Sequence, residues 1–142
     1  MKKRAIILLA VLQLCLLCGC NNEDDVEGIF TGHDWKLSYL VYNSLRTSAG
    51  SKIYTLSFTN SSFTLTTPSS STITGNWKAD GESRTFKCSN VKISSGSLSG
   101  DSIARKAKII LENAASYEGD SNTILIKDAG GSNFVQFYSK QL

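Results

Sequence analysis

Histidine is nearly absent: His33 is the only one in 142 residues. A single imidazole excludes a two-histidine metal site and any His-Glu-x-x-His zinc motif. A nucleophilic triad would need His33, its neighbour Asp34 and a serine, but adjacent residues on a strand point to opposite faces. His33 and Asp34 therefore read as a polar turn before the first strand. Cysteine is scarce where a fold would use it. Cys15, Cys18 and Cys20 all lie close to the start of the chain, which leaves Cys88 without a partner for an internal disulfide. Cys88 alternates with Phe86 and reads as a buried structural thiol, because a nucleophile needs a base beside it. No glycine-rich phosphate loop occurs; Gly96, Gly100, Gly130 and Gly131 read as turn residues. No catalytic residues, metal site or cofactor site can be assembled from this set, so the chain is not expected to be an enzyme.

Long apolar runs are missing as well. The longest, Ala5 to Leu17, is broken by Gln13 and as a helix would rise about 20 Å, short of the roughly 30 Å hydrocarbon core. With Lys2, Lys3 and Arg4 before it, the run reads as a cleaved export signal over residues 1–19. The residues Leu16-Leu17-Cys18-Gly19-Cys20 resemble the bacterial lipobox, Leu-small-Gly-Cys. That resemblance implies lipidation of Cys20, and two or more acyl chains anchor stably where one does not. Cys18 is the alternative acceptor, but Leu17 before it is too bulky.

Excess positive charge is confined to that leader. The formal +3 corresponds to Lys2, Lys3 and Arg4, so the chain from Cys20 onward is close to neutral and offers no basic field for nucleic acid. Residues 20–28 form an acidic tether, with the carboxylates Glu23, Asp24, Asp25 and Glu27 in the five positions from 23 to 27. This acidic cluster resembles the export signal of Bacteroidetes surface lipoproteins. The expected location is a lipid anchor in the outer membrane, either surface-exposed or facing the periplasm. The membrane is then a partner through Cys20, and a protein or glycan partner remains unidentified.

Beyond the tether the apolar period is two. Trp35, Leu37 and Tyr39 alternate with polar residues, as do Tyr54, Leu56 and Phe58, and these read as strands. Residues 52–59 and 62–67 flank Asn60-Ser61 as a hairpin. Ile73 and Trp77 belong to a further strand ending at Asp80-Gly81. Phe86 and Cys88 lie on one parity and Val91 and Ile93 on the other, which places a bulge near Ser89-Asn90. Ile103, Ala107, Ile110, Leu111 and Ala114 share one helical face, with Asp101 or Ser102 as the cap. Thr123 to Lys127 and Phe134 to Tyr138 flank Asp128-Ala129-Gly130-Gly131 as the last hairpin. The expected fold over residues 29–142 is α+β: a curved antiparallel β-sheet with one helix inserted before a C-terminal β-hairpin.

Trp35-Lys36-Leu37, Gly75-Asn76-Trp77, Leu111-x-x-Ala114-x-x-Tyr117 and Ile124-Leu125-Ile126 together resemble the META domain of HslJ-like proteins. The resemblance implies an envelope or stress-related role without a chemical mechanism. An alternative is a lipocalin-like carrier, in which Trp35, Tyr39, Tyr54, Phe58, Phe63 and Trp77 would line a cavity for a small apolar ligand. Between Thr59 and Thr74, 11 of 16 residues are Ser or Thr, read as a solvated sheet face able to hydrogen-bond a glycan or protein. Asp101-Ser102-Ile103 resembles the Bacteroidetes O-glycosylation acceptor, which makes Ser102 a candidate for that modification.

Overall fold

Alternation of apolar and hydroxyl-bearing residues becomes strand almost everywhere it occurs. The computed structural model describes residues 25–140. A short helix, α1 (Val26–Phe30), precedes β1 (Asp34–Tyr42), β2 (Leu45–Ser48), β3 (Thr55–Phe58), β4 (Ser62–Thr66), β5 (Thr72–Asp80) and β6 (Thr85–Ser95). Helix α2 (Ser102–Glu112) follows, then β7 (Ala114–Gly119), β8 (Thr123–Asp128) and β9 (Phe134–Ser139). All pairings are antiparallel, in the order β2-β1-β3-β4-β5-β6-β7-β8-β9, and β1 also pairs with β9. That last pairing closes the sheet into a barrel, with β2 paired to the far half of β1 outside the ring.

The α+β expectation is corrected here. The sheet is antiparallel as expected, but it closes into a β-rich barrel, because β1 offers one edge to β3 and the other to β9. β8 and β9 pair as expected, but β7 comes between the helix and them, so three strands follow α2 rather than a hairpin. The acidic tether also ends earlier than residue 28. Asp25 accepts a hydrogen bond from the Gly28 N–H at 2.9 Å and starts α1, so residues 26–28 are helical. The expected signal (1–19) and most of the tether lie outside the described residues.

A ring of about eight strands leaves an interior that side chains can just fill. Here they do. Trp35, Leu40, Leu56, Leu65, Ile73, Phe86, Ile124, Ile126, Val135 and Phe137 point inward and are completely buried. Helix α1 plugs one end: the Phe30 ring lies 5.0–5.2 Å from the rings of Phe58, Trp77, Phe86 and Tyr117. The Trp35 indole N–H donates to the Phe30 carbonyl at 3.1 Å and holds the plug in place. Helix α2 leaves the far end of β6 and delivers the chain to β7, so it covers the opposite mouth with Ile103, Ala104, Ala107, Ile110 and Leu111. Ile109 is off that stripe and exposed.

The bulge falls where the parity break places it. Thr74 faces Lys92 and Asn76 faces Ser89, so Gly75 opposes both Asn90 and Val91. Asn90 takes φ 53°, a left-handed conformation that asparagine tolerates better than most residues. Gly75 lacks a side chain for a reason of its own, since a Cβ there would lie 2.7 Å from the Phe63 ring.

Candidate functional site

Cys20 lies outside the described residues. Ser102 is exposed at the first position of α2. The helix cap is Asp101, whose Oδ1 accepts the Ala104 N–H at 2.9 Å, so Ser102 has no capping role and its hydroxyl faces solvent. The same Asp101 oxygen accepts the hydroxyl of buried Tyr54 at 2.9 Å. Burial, and then the hydrogen bond and charge of Asp101, push the Tyr54 pKa upward and keep the phenol neutral.

His33 sits against Trp35, with ring centroids 4.6 Å apart, and its buried Nε2 makes no hydrogen bond. Asp34 opens β1 and is exposed. The pair assembles no relay to a serine. Cys88 is free and half-buried against the core, and desolvation pushes its thiol up to about 12. A neutral thiol at physiological pH is a poor nucleophile. Among the described residues no group of three or more His, Cys, Asp or Glu could hold a metal ion, and no helix is long and apolar enough to cross a membrane.

The aromatic residues named for a carrier cavity occupy the space such a ligand would need. Trp35, Tyr54 and Phe63 are at most 1% exposed and Phe58 6%, while Tyr39 is on the outside under the Arg46 guanidinium, 3.8 Å from its ring centre. The hydroxyl-rich stretch divides in two. Ser62, Thr64, Thr66, Thr72 and Thr74 are half-buried on the outer wall, but Thr67 and Ser71 are buried in the β4–β5 turn. There the Ser71 N–H donates to Thr67 Oγ1 at 3.1 Å and the Ser71 hydroxyl to the Ser97 carbonyl at 3.0 Å.

The outer wall of β5 and β6 carries a polar cleft. An open groove of about 600 Å³ runs beside the bulge, lined by Ser62, Thr74, Asn76, Asn90, Val91 and Lys92. The Asn90 amide donates to Asn76 Oδ1 at 3.0 Å, and the Asn76 amide to the Ser61 carbonyl at 3.3 Å. Lys78 and Lys87, both exposed, face each other across the strands. Sequence reading located the bulge but not these neighbours, since cross-strand partners depend on a register that sequence alone does not fix.

Comparison with known proteins overturns the META resemblance. The family model that matches, over residues 41–139, is "Domain of unknown function (DUF4847)", and no META or HslJ-like model matches. The quoted motifs are strand and helix patterns that this different fold also produces: Leu111-x-x-Ala114-x-x-Tyr117, for instance, runs from the end of α2 into β7. A crystal structure at 1.00 Å of a DUF4847 family protein from Bacteroides vulgatus ATCC 8482 is similar in fold, with a TM-score of 0.64 and 23% identity, covering 82% of this chain and 99% of that one. A search of curated proteins found no match. The model spans more than half of the chain, and the chain belongs to the DUF4847 family.

Proposed function

We propose that this chain is a non-catalytic binding domain of the cell envelope, anchored by acyl chains on Cys20, that meets its partner with the outer wall of the barrel. One observation carries the choice between outer wall and interior: the rings of Phe30, Phe58, Phe86 and Tyr117 fill the barrel end against one another, and α2 covers the other mouth. An apolar-ligand carrier needs an enclosed void of a few hundred Å³, so the carrier reading loses its support. The anchor rests on the lipobox resemblance, and the acidic residues Glu23, Asp24 and Asp25 support presentation at the outer surface. Absence of catalysis rests on the single histidine and on a thiol that stays protonated.

Two measurements test this. Cys20→Ser should leave the chain unprocessed or move it out of the membrane fraction, and a substituted protein that is still processed and membrane-bound would refute the anchor. A fluorescent fatty-acid analogue should show no saturable uptake by the intact chain in neutral detergent. Stoichiometric uptake, lost when the interior is further filled by Leu65→Phe, would overturn outer-wall binding and restore the carrier.

A further inference from the structure

We propose that the groove on the outer face of the β5–β6 ribbon binds an acidic glycan, its acid groups on the lysines and its hydroxyls on the asparagine amides. This deepens the outer-wall reading and rests on it. The first observation is a cross-strand pair of like charges. Lys78 and Lys87 are direct partners in the register and both are exposed, an arrangement that costs stability unless something compensates it. Among the described residues this is offset only in part: the Asp80 carboxylate, two residues along the same face, acts on Lys78, and Lys87 forms no ion pair. Among the described residues the two ion pairs are Lys108 with Glu112 and Lys127 with Glu118. Asp80, the single carboxylate in the two strands, accepts from the Ser83 N–H and hydroxyl at 2.8 and 3.0 Å; these bonds, and then the charge of Lys78, hold its carboxyl below the usual range, so three ammonium groups face one carboxylate on this ribbon. Lys92 adds a third ammonium at the other end, opposite Thr74.

The second observation is what lies between the lysines. From the Lys78 row to the Thr74 row is about 13 Å of strand, long enough for a short run of sugar residues. In the middle, the bulge turns the Asn90 side chain onto Asn76. Each amide has two N–H donors and a carbonyl acceptor, so after their mutual bond and the one to Ser61 they keep an unused N–H each, and Asn90 keeps its oxygen. Donors and acceptors alternating along a groove match vicinal hydroxyls, which both give and take hydrogen bonds. The face lacks what other polyanions use. Trp77 is turned inward against Phe30 and Phe86, so no ring is presented on this ribbon for stacking nucleobases.

The test is affinity electrophoresis of the intact chain in neutral detergent, with polygalacturonate, dextran or a single-stranded DNA oligonucleotide in the gel. Polygalacturonate should retard the chain, and dextran and DNA should not. Lys78→Gln with Lys87→Gln should weaken retardation about tenfold, whereas Lys52→Gln with Lys140→Gln, exposed lysines off the ribbon, should not. Without ligand, Lys87→Gln alone, which relieves the repulsion and leaves Lys78 beside Asp80, should unfold at the same temperature as the parent or higher. Absence of retardation, equal loss in both double-lysine variants, equal retardation by DNA, or a fall in unfolding temperature for Lys87→Gln would each overturn the assignment. If retardation fails while the fatty-acid analogue still finds no interior site, the glycan is refuted and outer-wall binding stands.

Discussion

Asp101 serves two donors through one oxygen, the Ala104 N–H at the start of α2 and the Tyr54 hydroxyl just before β3. Removing it uncaps a helix, worth about 1 kcal/mol, and orphans a buried hydroxyl, worth about 1–3 kcal/mol. Asp101→Ala should therefore lose about 2–4 kcal/mol in a denaturant titration, and adding Tyr54→Phe should return part of that loss by removing the orphan. A double variant no more stable than the single would refute the shared role. Ser102→Ala should change stability by less than about 0.5 kcal/mol, since Ser102 is exposed and caps nothing. If Ser102 carries a glycan, the substitution lowers the intact mass by the glycan as well as by one oxygen atom, and a one-oxygen difference would refute the modification. Cys88 sets a pH limit of the opposite kind from an acid transition. Its thiol is pushed up from 9.0 to about 12 by burial, so the folded state holds the proton more tightly than the unfolded chain. Stability from this group is complete below pH 9 and declines as pH rises towards 12, with Tyr54 acting in the same direction. Unfolding free energy should fall above pH 9 in the parent and less steeply in Cys88→Ala. Equal slopes would remove Cys88 from the account.

Helix α1 is five residues long, yet it supplies Phe30 to a cluster of four other rings. Phe30→Ala should cost about 3–5 kcal/mol, the range for deleting a buried aromatic side chain, and should release the near-ultraviolet circular dichroism signal of Trp35 and Trp77. A cost below 1 kcal/mol would mean that α1 is an appendage and not a plug. The sequence conceals this element for a physical reason. Two turns or fewer show no amphipathic period, and Asp25 and Glu27 give the segment the composition of a solvated linker. β2 is hidden similarly, since Leu45 and Arg46 are both exposed and alternation is lost on a strand outside the ring. β7 opens Ala-Ala-Ser, too small to mark a face. Where alternation is strong, as in β1, β3, β4, β8 and β9, strands stand where they were expected, and α2 buries the expected stripe as far as Leu111, while Ala114, expected on the same helical face, opens β7 instead. The groove was half legible. Parity revealed the Asn90 bulge, but the meeting of Asn90 with Asn76, and of Lys78 with Lys87, follows from register across two strands.

Closure of the barrel is the property that no single element contains. β1 lies at the start of the fold and β9 at its end, and their pairing, Lys36 opposite Tyr138 and Leu37 opposite Phe137, joins positions about a hundred residues apart. An open sheet with the same strands would leave Trp35, Leu37 and Leu40 uncovered on one flank and β9 with a free edge, an invitation to edge-to-edge association. The closure can be tested directly with a cross-link. Directly paired residues in antiparallel strands have Cα atoms about 4.5–5.5 Å apart, within disulfide range, so Lys36→Cys with Tyr138→Cys should oxidise to a single intramolecular bond. A loop of about 100 residues is then closed in the unfolded chain, and the chain-entropy estimate for that is up to about 4.7 kcal/mol. The oxidised variant should therefore unfold at a higher denaturant concentration than its reduced form. Shifting one cysteine, as Lys36→Cys with Gln136→Cys, moves it off the paired row and should slow cross-linking markedly. Efficient bonding in the shifted pair, or none in the matched pair, would mean that β1 and β9 do not hold this register and that the sheet is open.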